Sequence, residues 1–175
     1  MKKFLPKTKY SPQGFTLIEL MVVISIIAIL SVIGLTIFSG VQKNARDAKR
    51  KADLKAIATA LEIYKTKSST NTYPATGTWV FSDSASDPWI PGLDSNYMIS
   101  VPRDPKNSGG PPYYGIGFTY AYYTSGSYGG PNGSWFMLTA QLESPGVADD
   151  ATQCIAPNGT SVFNYTRNFM VCNQQ

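Results

Sequence analysis

The chain has 175 residues, enough for one domain or one domain with an appendage, and long enough to bury a core without a cysteine scaffold. Fifteen Lys and Arg stand against eleven Asp and Glu, and there is no histidine, which excludes His-based triads, His metal sites and His general bases together. The net charge of +4 is unevenly laid out: residues 1–14 carry four lysines and no acid, residues 20–38 carry no charge, residues 43–67 sum to +5 and residues 68–175 to −4. No Gly-x-Ser-x-Gly occurs, and Gly115-Ile116-Gly117 lacks the third glycine of a nucleotide loop, so an enzyme is not expected.

In chain order, the first segment is a basic leader, residues 1–14, with Lys2, Lys3, Lys7 and Lys9. Residues 15–41 are apolar. The uncharged run from Leu20 to Phe38 would span ~28 Å as a helix, about the hydrocarbon thickness of a bilayer. It is longer than a signal-peptide core, and no small-residue cleavage site follows it. Being apolar on every face, it suits lipid better than the interior of a soluble domain. No proline lies between Gln13 and Pro74, so a helix is predicted from Phe15 to Lys67, with Gly34 as its soft point.

Residues 42–67 place two apolar stripes on that helix. Leu54, Ile57, Leu61 and Tyr64 fall on one side and suit packing against the chain's own globular part. Val41, Ala45, Ala48, Ala52, Ala56, Thr59 and Ile63 fall roughly opposite. Small residues there permit close approach of a second helix, although the high helix propensity of alanine explains the same residues without a partner. Asp47 stands four residues from Lys43 and from Lys51, and Asp53 four from Lys49. Ion pairs on the helix surface are therefore expected to absorb part of the charge, which argues against reading the basic helix as a nucleic-acid contact.

The remainder, residues 68–175, is rich in Gly, Pro, Ser, Thr and Tyr. Tyr73-Pro74 closes the helical region, and Ala75 to Pro112 is predicted to be irregular. Strand candidates are Phe118–Thr124, Trp135–Leu142, Val162–Tyr165 and Phe169–Val171, the first two forming a hairpin around Pro131-Asn132-Gly133. Tyr113, Tyr114, Tyr120, Tyr122, Tyr123 and Tyr128 crowd into a short stretch. Sheet packing is one account of them and an adhesive or base-stacking surface the other. Cys154 and Cys172 fit no metal-ligand or Cys-x-x-Cys spacing. In an exported head they would form a disulfide, and in a reducing compartment they would be two free thiols. Three Asn-x-Ser/Thr sites occur, at Asn132, Asn158 and Asn164, and turn-forming Asn-Gly accounts for the first two without modification.

The segment Gly14-Phe15-Thr16-Leu17-Ile18-Glu19, opening an apolar helix behind a Lys-rich leader, resembles the type IV prepilin signature, shared by type IV pilins and the pseudopilins of type II secretion. Tyr64 followed by Tyr73-Pro74, and Val101-Pro102-Arg103-Asp104-Pro105 before an aromatic strand, resemble the head of a major pseudopilin. The two cysteines are more similar to a pilin with a disulfide-closed tail region. The resemblance implies an α+β fold, a long N-terminal helix packed on a small antiparallel β-sheet head. It implies a leader, residues 1–14, removed after Gly14 by a prepilin peptidase, and N-methylation of Phe15. Residues 15–41 would be the transmembrane and polymerisation half of the helix, 42–67 its amphipathic half and 68–175 the head. The implied partners are further copies of the chain, the peptidase, a pilus or secretion assembly platform, and membrane lipid before assembly. Asp149-Asp150 falls where major pseudopilins carry a calcium loop, but no ligand set is recognisable, and neither metal nor cofactor is expected.

Charge alone leaves the orientation undecided, since bases flank the apolar run on both sides. The cysteines and the resemblance favour a head outside the inner membrane, and later a periplasmic or extracellular filament. Glu19 is the most informative residue. A carboxylate in an apolar run costs ~2.5–3.5 kcal/mol at the bilayer centre and less near the interface. Cleavage frees an amine at Phe15, and a neighbour's amine can neutralise Glu19 in one axial register; a solvated interfacial carboxylate is the alternative. Three functions fit: a pilus-like filament subunit with Ala45, Ala48, Ala52 and Ala56 at its helix contacts, a type II secretion pseudopilin, or a monomeric membrane-anchored binder using a Tyr-rich head. The last predicts no cleavage after Gly14.

Overall fold

The structure, a computed structural model, describes residues 14–112, 117–124, 126, 130–144, 154–159, 161–162 and 168–173. The chain divides into two compact units, residues 1–41 and 42–175. One helix, α1 (Leu17–Lys67), runs through both without interruption at Gly34. It begins two residues later than predicted because Thr16 caps it. In the first unit every large apolar side chain from Phe15 to Val41 is exposed. This stretch reaches a mean hydropathy of 2.9 with none of it buried, and it is long and apolar enough to cross a membrane.

In the second unit α1 lies on a four-stranded antiparallel sheet in the order β1 (Val80–Phe81), β2 (Tyr120–Tyr123), β3 (Met137–Gln141) and β6 (Asn168–Cys172). A two-stranded ribbon, β4 (Cys154–Ile155) with β5 (Ser161–Val162), completes the described strands. The β2–β3 hairpin pairs Tyr122 with Leu138 and Tyr120 with Ala140, and these four side chains face the helix. The predicted stripe meets them: Leu54, Ile57 and Leu61 are fully buried, and Tyr64 packs at the edge. Trp89, Ile90 and Leu93 close the same core from the long connection. On the opposite face Tyr123, Met137 and Met170 pack with Trp135, Cys154 and Ala156. Because β2 and β3 are buried on both faces, they do not alternate apolar with polar, which is why periodicity blurs there.

Several expectations are refined. The stretch predicted to be irregular contains β1, which pairs Val80 with Tyr122 and Phe81 with Ala121. Of Val162–Tyr165 only Val162 is described, in β5; the rest lies outside the described residues, as do Asp149-Asp150 and the Asn164 site. The crowded tyrosines resolve towards packing. Tyr120, Tyr122 and Tyr123 are buried, so they offer no adhesive or stacking surface, and Tyr113, Tyr114 and Tyr128 lie outside the described residues. Gly133 explains the hairpin tip. Its φ is +81°, its carbonyl accepts the Tyr73 N–H at 2.8 Å, and a Cβ there would come within 2.9 Å of the Tyr73 carbonyl oxygen.

Candidate functional site

Gly14, Phe15 and Thr16 precede the helix, with Phe15 82% exposed. Thr16 and Glu19 then form a reciprocal cap. The Glu19 carboxylate accepts the Thr16 backbone N–H at 2.8 Å and its hydroxyl at 2.7 Å, while the Glu19 N–H donates to the Thr16 Oγ1 at 3.3 Å. Such a box satisfies donors that a helix N-terminus leaves open, and an acid in the first turn complements the helix dipole. Thr16 is a residue that the sequence reading does not single out, although Thr-x-x-Glu ahead of an apolar run is its local signal. Further along, Ser25 and Ser31 turn their hydroxyls onto the carbonyls of Val22 and Ile27, which removes the two donors from the apolar surface.

The stem, residues 42–67 of α1, presents three kinds of surface. Its inner face carries the core residues above. Ala45, Ala48, Ala52, Ala56 and Thr59 are all exposed, with Val41 and Ile63 also exposed at the ends. This band is free of charge along its length.

Between stem and sheet lies a feature absent from the sequence reading, a buried ion cluster around Arg50. The Arg50 side chain is fully buried. It donates to both carboxylate oxygens of Asp104 at 2.7 and 3.1 Å, to Asp47 at 2.7 Å and to Glu143 at 3.0 Å. Glu143 also receives Arg46 through two bonds at 2.6 and 2.8 Å, and Lys106 at 2.9 Å. Asp47 accepts the backbone N–H groups of Glu143 and Ser144. Three cations and three carboxylates thus balance in one site. Burial disfavours the charged form of Arg50, but the hydrogen bonds and charge of Asp104, with Glu143 and Asp47, outweigh it and hold the guanidinium protonated more firmly than usual. The Arg46 guanidinium, with Lys106 and Arg50, holds the Glu143 carboxyl well below the usual carboxylate range against the cost of its burial.

These contacts correct the expected helix-surface pairs. Lys49 does pair with Asp53 at 3.1 Å, but Asp47 turns inward to Arg50 and the Glu143–Ser144 backbone instead of to Lys43 or Lys51. Two tyrosines add further stitches. Tyr120 donates to Asp53 and Tyr73 to Glu62, each at 2.8 Å. Burial first, then the partner carboxylate, raises both phenols, so they stay protonated donors. At the far end of the head, Cys154 and Cys172 form a disulfide with Cα atoms 5.9 Å apart, joining β4 to β6. Among the described residues no group of three or more His, Cys, Asp or Glu is arranged to hold a metal ion.

Residues 11–35 match the family model described as the prokaryotic N-terminal methylation motif. The chain carries the prepilin signature of type IV pilins and pseudopilins. The match covers Gly14, Phe15, Thr16, Glu19 and most of the exposed apolar helix. The prepilin signature and the architecture agree, since a long helix with an apolar stretch and a small antiparallel sheet make a pilin-like α+β fold. No curated protein and no solved structure gives a significant match.

Proposed function

We propose that this chain is the precursor of a type IV pilus-like filament subunit whose work is mechanical and self-associative. One observation carries the reading: the N-methylation motif opens a helix whose apolar half is exposed among the described residues. In water such a surface would not persist, so it must be covered first by lipid and then by other copies.

In this reading residues 1–14 are the leader, and the Gly14–Phe15 bond, lying before the helix begins, is cut by a prepilin peptidase. Phe15 becomes the methylated N-terminus. Residues 15–41 anchor the subunit in the membrane and later bundle in the filament. The stem residues Ala45, Ala48, Ala52 and Ala56 allow neighbouring helices to approach closely, and residues 68–175 form the head outside. Glu19 has two calls on its carboxylate. Its own Thr16 holds it in the single subunit, and its lone pairs can also take the cationic amine of a neighbour's Phe15. In a low-dielectric bundle that pairing favours one axial register. Loss of the leader removes four lysines and leaves eleven bases against eleven acids among the remaining side chains, a neutral subunit suited to close packing.

The test is Glu19→Ala. Removal of the leader is expected to continue, while filaments recovered by shearing fall to background. Filament yield equal to wild type would sink the assignment of Glu19. Long surface fibres of this subunit would mark a pilus, and short periplasmic ones a secretion pseudopilus.

A further inference from the structure

Among the described residues of 42–175, pairing leaves stem and head with opposite surplus charge. On the stem, Arg46, Lys49 and Arg50 are matched by carboxylates, and Lys65 and Lys67 lie over the rings of Tyr73 and Tyr97. Lys51 lies over the Phe169 ring, while Lys43 and Lys55 are exposed and no carboxylate among the described residues pairs with either; of the two, Lys55 stands three residues from Ala52 and four from Thr59, beside the small-residue band. On the head, Asp104 and Glu143 are used in the buried cluster, while Asp83, Asp87 and Asp94 remain exposed. Asp87 stands 4.0 Å from Arg103, whose guanidinium also donates to the carbonyls of Ser82, Ser84 and Ser86. The Asp94 carboxylate accepts N–H groups of Asn96 and faces no cation among the described residues.

Asp87 and Asp94 line one cleft of about 310 Å³. Ser95 and Ser100 share its polar lining, and the buried Leu93 and Val101 with the half-buried Met98 and Pro88 supply its apolar part. Ile99 borders the same cleft and is 97% exposed, the most exposed large apolar side chain among the described residues. A cleft that sets carboxylates and serines beside apolar side chains complements a lysine, whose methylenes prefer apolar cover while its ammonium seeks an anion. A bare isoleucine beside it extends the same surface into something that another apolar surface can cover.

We propose that this cleft receives Lys55 of a second copy of the chain, with Ile99 pressed against the small-residue band beside that lysine. The inference rests on the filament reading above and adds which surfaces meet. Three features select a second copy as the occupant. The surplus charges are opposite, the band next to Lys55 is apolar and uncharged, and both surfaces are exposed on the single subunit.

The experiment uses the full chain in cells, with sheared filaments quantified. Asp94→Lys and Lys55→Glu are each expected to lower filament yield about tenfold by setting like charges opposite one another. Combined, they are expected to return it to within about threefold of wild type, because the reversed pair restores the contact. Ile99→Glu, which alters neither charged residue, is expected to reduce yield as the single reversals do. Protease resistance of the head in the membrane-borne precursor shows that each variant has folded. Wild-type yield from Asp94→Lys, or a double reversal no better than the poorer single one, overturns the docking while wild-type filaments leave the filament reading standing. If the wild-type chain makes no filaments, the filament reading fails and the docking falls with it.

Discussion

Residues 17–41 and 42–67 belong to one helix, yet among the described residues only the second stretch has a face withdrawn from water. The first is apolar all round and capped by its own Thr16 and Glu19. The second divides its surface into an apolar face under the sheet, a polar seam around Arg50 and an uncharged alanine band. The stem is held by contacts inside its own chain, whereas in the proposed filament reading the apolar half is covered by lipid or by neighbours. Changes in the stem seam should therefore be felt by a single subunit, and changes on the exposed surfaces only by an assembly.

The largest expected effect breaks that division at the alanine band. Ala48→Leu combined with Ala52→Leu should leave the thermal stability of the detergent-solubilised chain within about 0.5 kcal/mol of wild type, since both positions are exposed. Filament yield should nevertheless collapse, because bulk on the band keeps helices apart. Equal yield would place the helix contacts elsewhere. Arg50→Leu probes the other side. It strands Asp47, Asp104 and Glu143 without their shared cation, and unfolding monitored by circular dichroism should show a loss of ~3–5 kcal/mol. Cys154→Ser comes next, at ~3 kcal/mol if the disulfide acts by restricting the unfolded chain.

The smallest effect is graded with acidity. The Glu143 carboxyl is depressed in the folded chain relative to its ordinary value of 4.5. Its contribution to stability is complete above pH 4.5 and is lost progressively as pH falls below that value towards the folded one, because the unfolded state binds the proton first. Melting temperature should thus decline below pH 4.5 in wild type and decline less in Glu143→Gln. Parallel curves would show that Glu143 does not carry the acid sensitivity.

Much of this division was legible in the sequence, for physical reasons. The apolar run needs no periodicity to be recognised, and Leu54, Ile57 and Leu61 repeat at helical spacing. The β2–β3 hairpin shows through its aromatic strands and the Pro131-Asn132-Gly133 tip. β1 and β4 do not, because two residues carry no pattern. The Arg50 cluster was illegible for a different reason. An arginine among lysines on a helix reads as a solvated face, and its partners Asp104 and Glu143 stand 54 and 93 residues away. Only the fold brings them together. For the tyrosines the sequence leaves sheet packing and an adhesive surface both open, and the burial of Tyr120, Tyr122 and Tyr123 in β2 decides for packing at those three.

A prepilin loses its leader by cleavage and buries its exposed apolar helix by assembly. The most direct measurement is the intact mass and N-terminal sequence of the subunit recovered from a sheared-filament fraction. The recovered chain should begin at N-methylated Phe15, without residues 1–14. A full-length chain, or an N-terminus elsewhere than Phe15, would contradict it.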